Sequence, residues 1–255
     1  MSRYIIALDV DETLLKDDKS LSNRNKQAIQ LCKSLGAYVA ISSARGYGSC
    51  EKIAREISAD FVCCQSGNMI VDMKTGETIY KKGFSKDEII DMIKTFSRFT
   101  QNIIVDSTRN LYGGIGDETA KFWGVIPMEL ESIPQIEVFK ACIWYDENAK
   151  EEIVKYCNDH KYVCRPMRGS PFMLITPQNS DKYYALEKLA NIVNVDIKNV
   201  MAFGDDDSDL MSIEKVGIGV AMANSRETVQ QKAKNVTSSN NDDGVAEFLE
   251  KFFKL

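Results

Sequence analysis

The chain has one histidine and five prolines in 255 residues, and no long apolar run. The histidine, His160, lies in the polar stretch Asn158-Asp159-His160-Lys161 and reads as a solvated loop residue. That excludes a Ser-His-Asp triad in its ordinary form. Any hydrolytic chemistry must then fall to carboxylates, lysine and a metal ion. No segment approaches the ~20 apolar residues a membrane helix needs. The net charge of −5 argues against nucleic acid or an anionic membrane surface as a partner. The seven cysteines show no Cys-x-x-Cys pair and no regular spacing, so a zinc site is not expected. Cys63-Cys64 sits in an apolar run and reads as core. An apolar run already begins at Tyr4, so no export signal is expected, and free thiols then point to a reducing cytoplasm.

What remains is an ordinary globular composition, 44% hydrophobic and 27% charged. The length suits one large domain or two modest ones. Tyr4-Ile5-Ile6-Ala7-Leu8 predicts a strand buried on both faces. Ser22 predicts the N-cap of a helix over 23–35, with Ala28, Ile29, Cys32 and Leu35 on one face. Ala37 to Ile41 is a second strand, a helix carrying Ile53, Ala54 and Ile57 follows, and Phe61 to Cys64 is a third. This alternation predicts a doubly wound parallel sheet with Rossmann-like crossovers. A hairpin is expected over 69–80. Residues 83–177 then mix amphipathic helices (85–96, 147–158) with short strands (102–105, 140–145, 162–165). Four prolines, Pro127, Pro134, Pro166 and Pro171, fall here, and Pro177 marks the exit. The first rhythm resumes with a helix over 181–193 and strands at Val200 to Phe203 and Gly217 to Met222. The chain thus divides into an α/β core, 1–82 with 178–255, and an inserted α+β domain, 83–177.

Three of the core strands end in polar clusters: Asp9 and Asp11, Ser43, and Asp205 with Asp209. In a parallel sheet these ends share one edge, where open α/β folds bind ligands. Asp9 and Asp11 are two apart, so an extended backbone would point them the same way. Two close carboxylates require a cation, a shared proton, or both. Asp206 and Asp207 read as solvated loop acids.

With these residues in hand the chain resembles a haloacid-dehalogenase-superfamily phosphatase of the Cof-like subgroup, whose type IIB cap is inserted between the second and third motifs. The resemblance rests on Ala7 to Leu15, Ile41 to Arg45, Lys182, Gly204 to Asp209, and two further segments, Val220 to Ser225 and Asn240 to Ala246. The middle of the chain matches only in layout. The resemblance implies that Asp9 is the nucleophile of an aspartyl-phosphate intermediate and Asp11 the general acid and base. Neighbouring carboxylates are expected to raise the Asp11 pKa. It implies Mg²⁺ held by Asp9, the Asp11 main-chain carbonyl and Asp205, with Asp209 as a direct or water-mediated ligand. Phosphate binding falls to Val10, Ser43, Ala44, Lys182 and Ser208. Arg45, Arg165 and Arg168 are candidate substrate contacts, the last two in the cap.

Four positions depart from the subgroup pattern: Glu12 and Tyr183 stand where Gly is usual, Ser208 where Asn is usual, and Ser66-Gly67 where Asn-Gly is common. The Glu12 position often needs backbone freedom. The function this implies is a Mg²⁺-dependent phosphatase for a small phosphorylated metabolite such as a sugar phosphate. A phosphomutase on a hexose phosphate and a non-catalytic phosphometabolite-binding protein are the alternatives. A monomer or weak homodimer is expected, with no nucleic acid or membrane partner.

Overall fold

The structure is a computed structural model and describes residues 3–113, 121, 123–166 and 171–255. The chain forms two compact units. The first comprises residues up to Arg45, Cys50–Lys81 and Asp181–Leu255; the second comprises Gly46–Ser49 and Lys82–Ser180. The segment 46–49, assigned to the core from sequence, thus clusters with the second unit. Among the described residues no helix is long and apolar enough to cross a membrane.

In chain order the first unit opens with β1 (Ile5–Leu8), α1 (Asn23–Ser34) and β2 (Tyr38–Ser42). Then come α2 (Tyr47–Glu56), β3 (Phe61–Cys64), β4 (Met69–Asp72) and β5 (Thr78–Lys81). The second unit holds α3 (Lys86–Phe96), β6 (Ile103–Asp106), β7 (Leu111–Gly113) and β8 (Lys140–Trp144). It continues with α4 (Glu147–Asp159), β9 (Val163–Pro166) and β10 (Phe172–Thr176). The chain then returns through α5 (Lys182–Ile192), β11 (Val200–Gly204), α6 (Leu210–Lys215) and β12 (Ile218–Ala221). It ends with α7 (Glu227–Lys232), β13 (Asn235–Val236) and α8 (Gly244–Phe253).

The first sheet runs β13-β12-β11-β1-β2-β3-β4-β5. The strands from β13 to β3 are parallel, and β4 and β5 add an antiparallel hairpin. Every residue of β1 is fully buried, as its uninterrupted apolar run requires. One face packs Ile5, Ala7, Ala40 and Ala202 against Leu186 and Leu189 of α5. Truncating such a leucine to alanine costs about 2–5 kcal/mol. Leu8 pairs in register with Ile41 on one side and Phe203 on the other. From β1 the chain winds outward one way through β2 and β3 and later the other way through β11 and β12. β1 is therefore the switch point, where the carboxyl ends of neighbouring strands open a crevice.

The second sheet, β7-β6-β8-β10-β9, is antiparallel. Ile89, Met92 and Phe96 of α3 and Ile153 of α4 pack with Val105, Ile143 and Met173 of this sheet. Trp144 and Phe172, with ring centroids 4.8 Å apart, form a smaller cluster with Ile104. β7 and β10 were not expected from sequence. β10 begins beside Pro171 and ends before Pro177, and prolines at both ends disguise a strand that tolerates them there. His160 caps the end of α4, exposed, with its ring stacked 4.0 Å from Tyr156.

Candidate active site

The chain leaves β1 at Leu8 and does not stay extended. Val10–Leu14 forms one wide helical turn in which Asp11 is extended and Glu12 is left-handed (φ 54°). This is the position where sequence suggested a need for backbone freedom. The turn buries Asp9 and Thr13 and leaves Asp11 half-buried and Glu12 exposed. The two acids, Asp9 and Asp11, therefore differ in burial.

Asp9 points to Lys182, the first residue of α5. The Lys182 ammonium donates to Asp9 Oδ1 at 2.6 Å and to Asp209 Oδ1 at 2.7 Å. The Thr13 hydroxyl donates to Asp205 Oδ1 at 2.8 Å. Asp205 and Asp209 come from the turn that joins β11 to α6. A Cβ on Gly204 would stand 2.3 Å from the Asp209 carboxyl carbon, so Gly204 leaves room for that side chain. Asp9, Asp205 and Asp209 each offer a carboxylate oxygen, all within 4.8 Å of one another. Three buried carboxylates around one ammonium leave an excess of negative charge. Burial pushes the Asp9 carboxyl up to about 7, with Lys182 pulling down and Asp209 and Asp205 pushing up. Burial likewise raises Asp205 to about 7, against its bond from Thr13. Burial works to strip the Lys182 proton, but Asp209 and Asp9 outweigh it and hold the ammonium above the usual lysine range. A hard divalent cation fits this all-oxygen donor set and its charge deficit.

A profile of the haloacid dehalogenase-like hydrolases matches residues 6–249. The chain belongs to the haloacid dehalogenase-like hydrolase family. The 5-amino-6-(5-phospho-D-ribitylamino)uracil phosphatase YitU of Bacillus subtilis (strain 168) is 29% identical over 267 residues, spanning 99% of this chain and 98% of its own. YcsE of the same strain, with the same activity in its name, is 26% identical over 248 residues and covers 96% and 94%. The fold matches a crystal structure of a haloacid dehalogenase-like hydrolase from Bacteroides thetaiotaomicron with a TM-score of 0.83. That match has 24% identity and covers 99% of this chain and 100% of the other.

In this hydrolase the remaining site residues fall as follows. Ser43 is buried at the end of β2, where its hydroxyl accepts the Arg45 N–H at 3.2 Å; Ala44 lies between them. The Val10 carbonyl accepts the Leu15 N–H at 2.9 Å, closing the turn. Ser208 is half-buried beside Asp209. Arg165 lies on β9 of the second unit. Arg168 lies outside the described residues.

Asp11 corrects one expectation. Its carboxylate is gripped by Arg45 through two hydrogen bonds, 2.6 and 2.8 Å, and by Lys19 at 3.2 Å. Burial pushes its pKa up, but Arg45 and Lys19 outweigh burial and hold it below the usual carboxylate value. The neighbours that matter are cations, not acids. Asp206 and Asp207 are solvent-accessible loop acids, as expected, and both pair with Arg226, at 2.5 and 2.6 Å.

Sequence reasoning gave no role to Thr13, Lys19 or Asn224. Thr13 stood inside the opening pentapeptide, so its hydroxyl was visible there but its partner, 192 positions away, was not. Asn224 donates to the Glu12 carbonyl at 2.8 Å, and Asn240 donates to the Leu15 carbonyl at 3.0 Å. The two late segments thus buttress the turn that carries Asp9 to Thr13.

Proposed function

We propose that this protein is a Mg²⁺-dependent phosphoric monoester hydrolase for a small phosphorylated metabolite, with sugar or polyol phosphates as its substrate class. The observation that carries the reading is the buried Lys182 ammonium held between Asp9 and Asp209, with Asp205 alongside. The names of YitU and YcsE, whose substrate bears its phosphate on a ribityl chain, support the substrate class.

Asp9, the Asp11 main-chain carbonyl and Asp205 would hold the metal, with Asp209 bound directly or through water. When bound, Mg²⁺ supplies the positive charge that lets a carboxylate and a phosphate dianion approach. Asp9 attacks phosphorus, the bond from phosphorus to the ester oxygen breaks, and Asp11 gives that oxygen a proton. Water then attacks the aspartyl phosphate, Asp11 takes its proton, and Asp9 is regenerated as free phosphate leaves. Lys182, the Ser43 and Ser208 hydroxyls and the main-chain N–H groups of Val10 and Ala44 bind the phosphoryl oxygens. Arg45 exchanges its bond with Asp11 for the incoming anion. The insertion, 83–177, acts as the cap that selects the leaving group, with Arg165 and Arg168 as its candidate contacts. The enzyme works in the cytoplasm as a monomer or weak homodimer.

Hydrolysis of p-nitrophenyl phosphate with Mg²⁺ tests the chemistry. Chelation by EDTA should abolish it, and Asp9→Asn should lower kcat by at least about 10⁴-fold. Turnover that survives either treatment sinks the mechanism. A panel of phosphorylated metabolites ranked by kcat/KM then tests the class, and sugar or polyol phosphates should lead it. A hexose 1-phosphate converted to its 6-isomer without free phosphate would instead identify a mutase.

A further inference from the structure

Three consecutive residues after β3 have left-handed backbones: Gln65 (φ 56°), Ser66 (φ 55°) and Gly67 (φ 86°). All three are buried. Left-handed non-glycine residues are uncommon, and two in succession persist only where their surroundings enforce them. Such strain gathers at functional sites. This turn touches two segments that carry candidate site residues, the Ser43–Arg45 loop and the entry to α5. The Gln65 N–H donates to the Arg45 carbonyl at 2.8 Å, tying down the loop of Ser43, Ala44 and Arg45. On its other side Gly67 lies against the entry to α5. A Cβ on Gly67 would stand 2.1 Å from the Asp181 carbonyl oxygen and 3.2 Å from the Lys182 backbone nitrogen. Both are backbone atoms, so no side-chain rotation relieves the clash.

Lys182 has little slack. Its ammonium bridges two carboxylates at 2.6 and 2.7 Å from inside the fold. The geometry points to Gly67 as a positioning residue: the turn Gln65–Gly67 is the stop against which α5 seats, and that seat sets the depth of Lys182. The effect on turnover rests on the phosphatase reading, whereas the effect on Lys182 burial does not.

Gly76 supplies a matched control. It is also left-handed, at φ 76°, but a Cβ there meets nothing within 4 Å. Gly67→Ala and Gly76→Ala therefore share the backbone strain and differ in the clash. Each variant is compared with wild type by thermal melting, by kcat and KM for p-nitrophenyl phosphate, and by acetic anhydride labelling of lysines read from peptide masses. In Gly67→Ala, kcat should fall about 100-fold with KM little changed, as a displacement on the order of 1 Å can do. Lys182 acetylation should rise about tenfold while other lysines keep their rates. Gly76→Ala should change neither. Should Gly67→Ala fail to fold, Ser66→Gly loosens the turn without adding an atom, and Lys182 labelling should still rise several-fold. Lys182 as inert as in wild type in a folded Gly67→Ala, or in Ser66→Gly where that variant does not fold, overturns the proposal. An inactive wild type whose Lys182 responds as described leaves the positioning role standing and sinks the phosphatase reading alone.

Discussion

Each unit buries a lysine, and the two lysines live in different electrostatic worlds. In the second unit Lys140 of β8 faces Asp106 of β6 across a strand pair at 2.8 Å. Their side chains are 10% and 11% exposed, and the pair cancels its own charge. In the first unit Lys182, 4% exposed, binds two carboxylates with a third close by. That cluster cannot neutralise itself. A balanced buried pair needs nothing from outside, whereas a buried excess of carboxylates is tolerable only with protons or a cation. Burial therefore does not mark the functional lysine; the charge imbalance around it does.

The sharpest way to break this comparison is to remove each ammonium. Lys182→Met should lower kcat on the order of 10³-fold, because the phosphoryl group loses its fixed positive charge. Lys140→Met should keep kcat within about tenfold while costing about 3–5 kcal/mol in urea unfolding, since Asp106 stays buried without that ammonium. Equal losses of kcat in the two variants would show that the balanced pair is functional too.

Next in size is the response to metal and pH. Asp9 and Asp205 sit near 7 in the folded protein against an ordinary 3.8. At pH values below both, folded and unfolded chains carry the same protons and the shift costs nothing. As pH rises from about 4 to 7, the unfolded chain gives up protons that the folded chain retains. The metal-free protein should therefore lose stability across that window. Mg²⁺ replaces those protons, so its stabilisation should be slight at pH 5 and reach on the order of 5 °C in Tm by pH 8. A Mg²⁺ shift in Tm that is flat with pH would mean the ion binds elsewhere. In the second unit, Lys140→Met should leave the Mg²⁺ shift intact.

Much of this cluster was legible before any coordinates. Asp9, Ser43 and Asp205 each follow an apolar run, and a parallel sheet must bring such run ends to one edge. Lys182 stands at the start of the helix expected over 181–193; the structure adds that Asp181 caps it, its side chain accepting the Tyr183 N–H. What was hidden depends on turn geometry. The turn after β1 sets the Asp11 carboxylate against Arg45, 34 positions on, and a left-handed Lys19 (φ 64°) folds back onto the same carboxylate. Period-two reasoning assumes extended backbone and so placed Asp11 among acids instead of cations. Arg226 was equally invisible as the partner of Asp206 and Asp207, because nothing local links residues about twenty apart.

The Arg45 clamp leads to a smaller effect. In Arg45→Gln the Asp11 carboxyl loses its two strongest anchors and its pKa should rise toward the ordinary value. In the proposed mechanism Asp11 must carry a proton to donate, so the alkaline limb of kcat/KM should move to higher pH. A limb that stays in place in Arg45→Gln would mean that another group titrates there. Arg165→Gln, on β9 of the second unit, should change KM without moving the limb.

The smallest effect isolates strain from charge. Glu12 in the first unit and Lys161 in the second are both exposed and left-handed, at φ 54° and 60°. The left-handed backbone costs an L-residue about 1–2 kcal/mol, and the greater freedom of unfolded glycine returns about 0.5–1 of that. Glu12→Gly and Lys161→Gly should therefore each stabilise by about 0.5–1 kcal/mol, or roughly 1–4 °C in Tm. Only Glu12 also pushes on Asp205 with its charge. In metal-free protein its removal should gain more than the backbone alone provides, and added Mg²⁺ should shrink that extra gain because the ion screens the same repulsion. Lys161→Gly should be indifferent to Mg²⁺. If both substitutions gain equally with and without the ion, Glu12 acts through its backbone alone, and the charge imbalance that separates the two units ends at Asp9, Asp205 and Asp209.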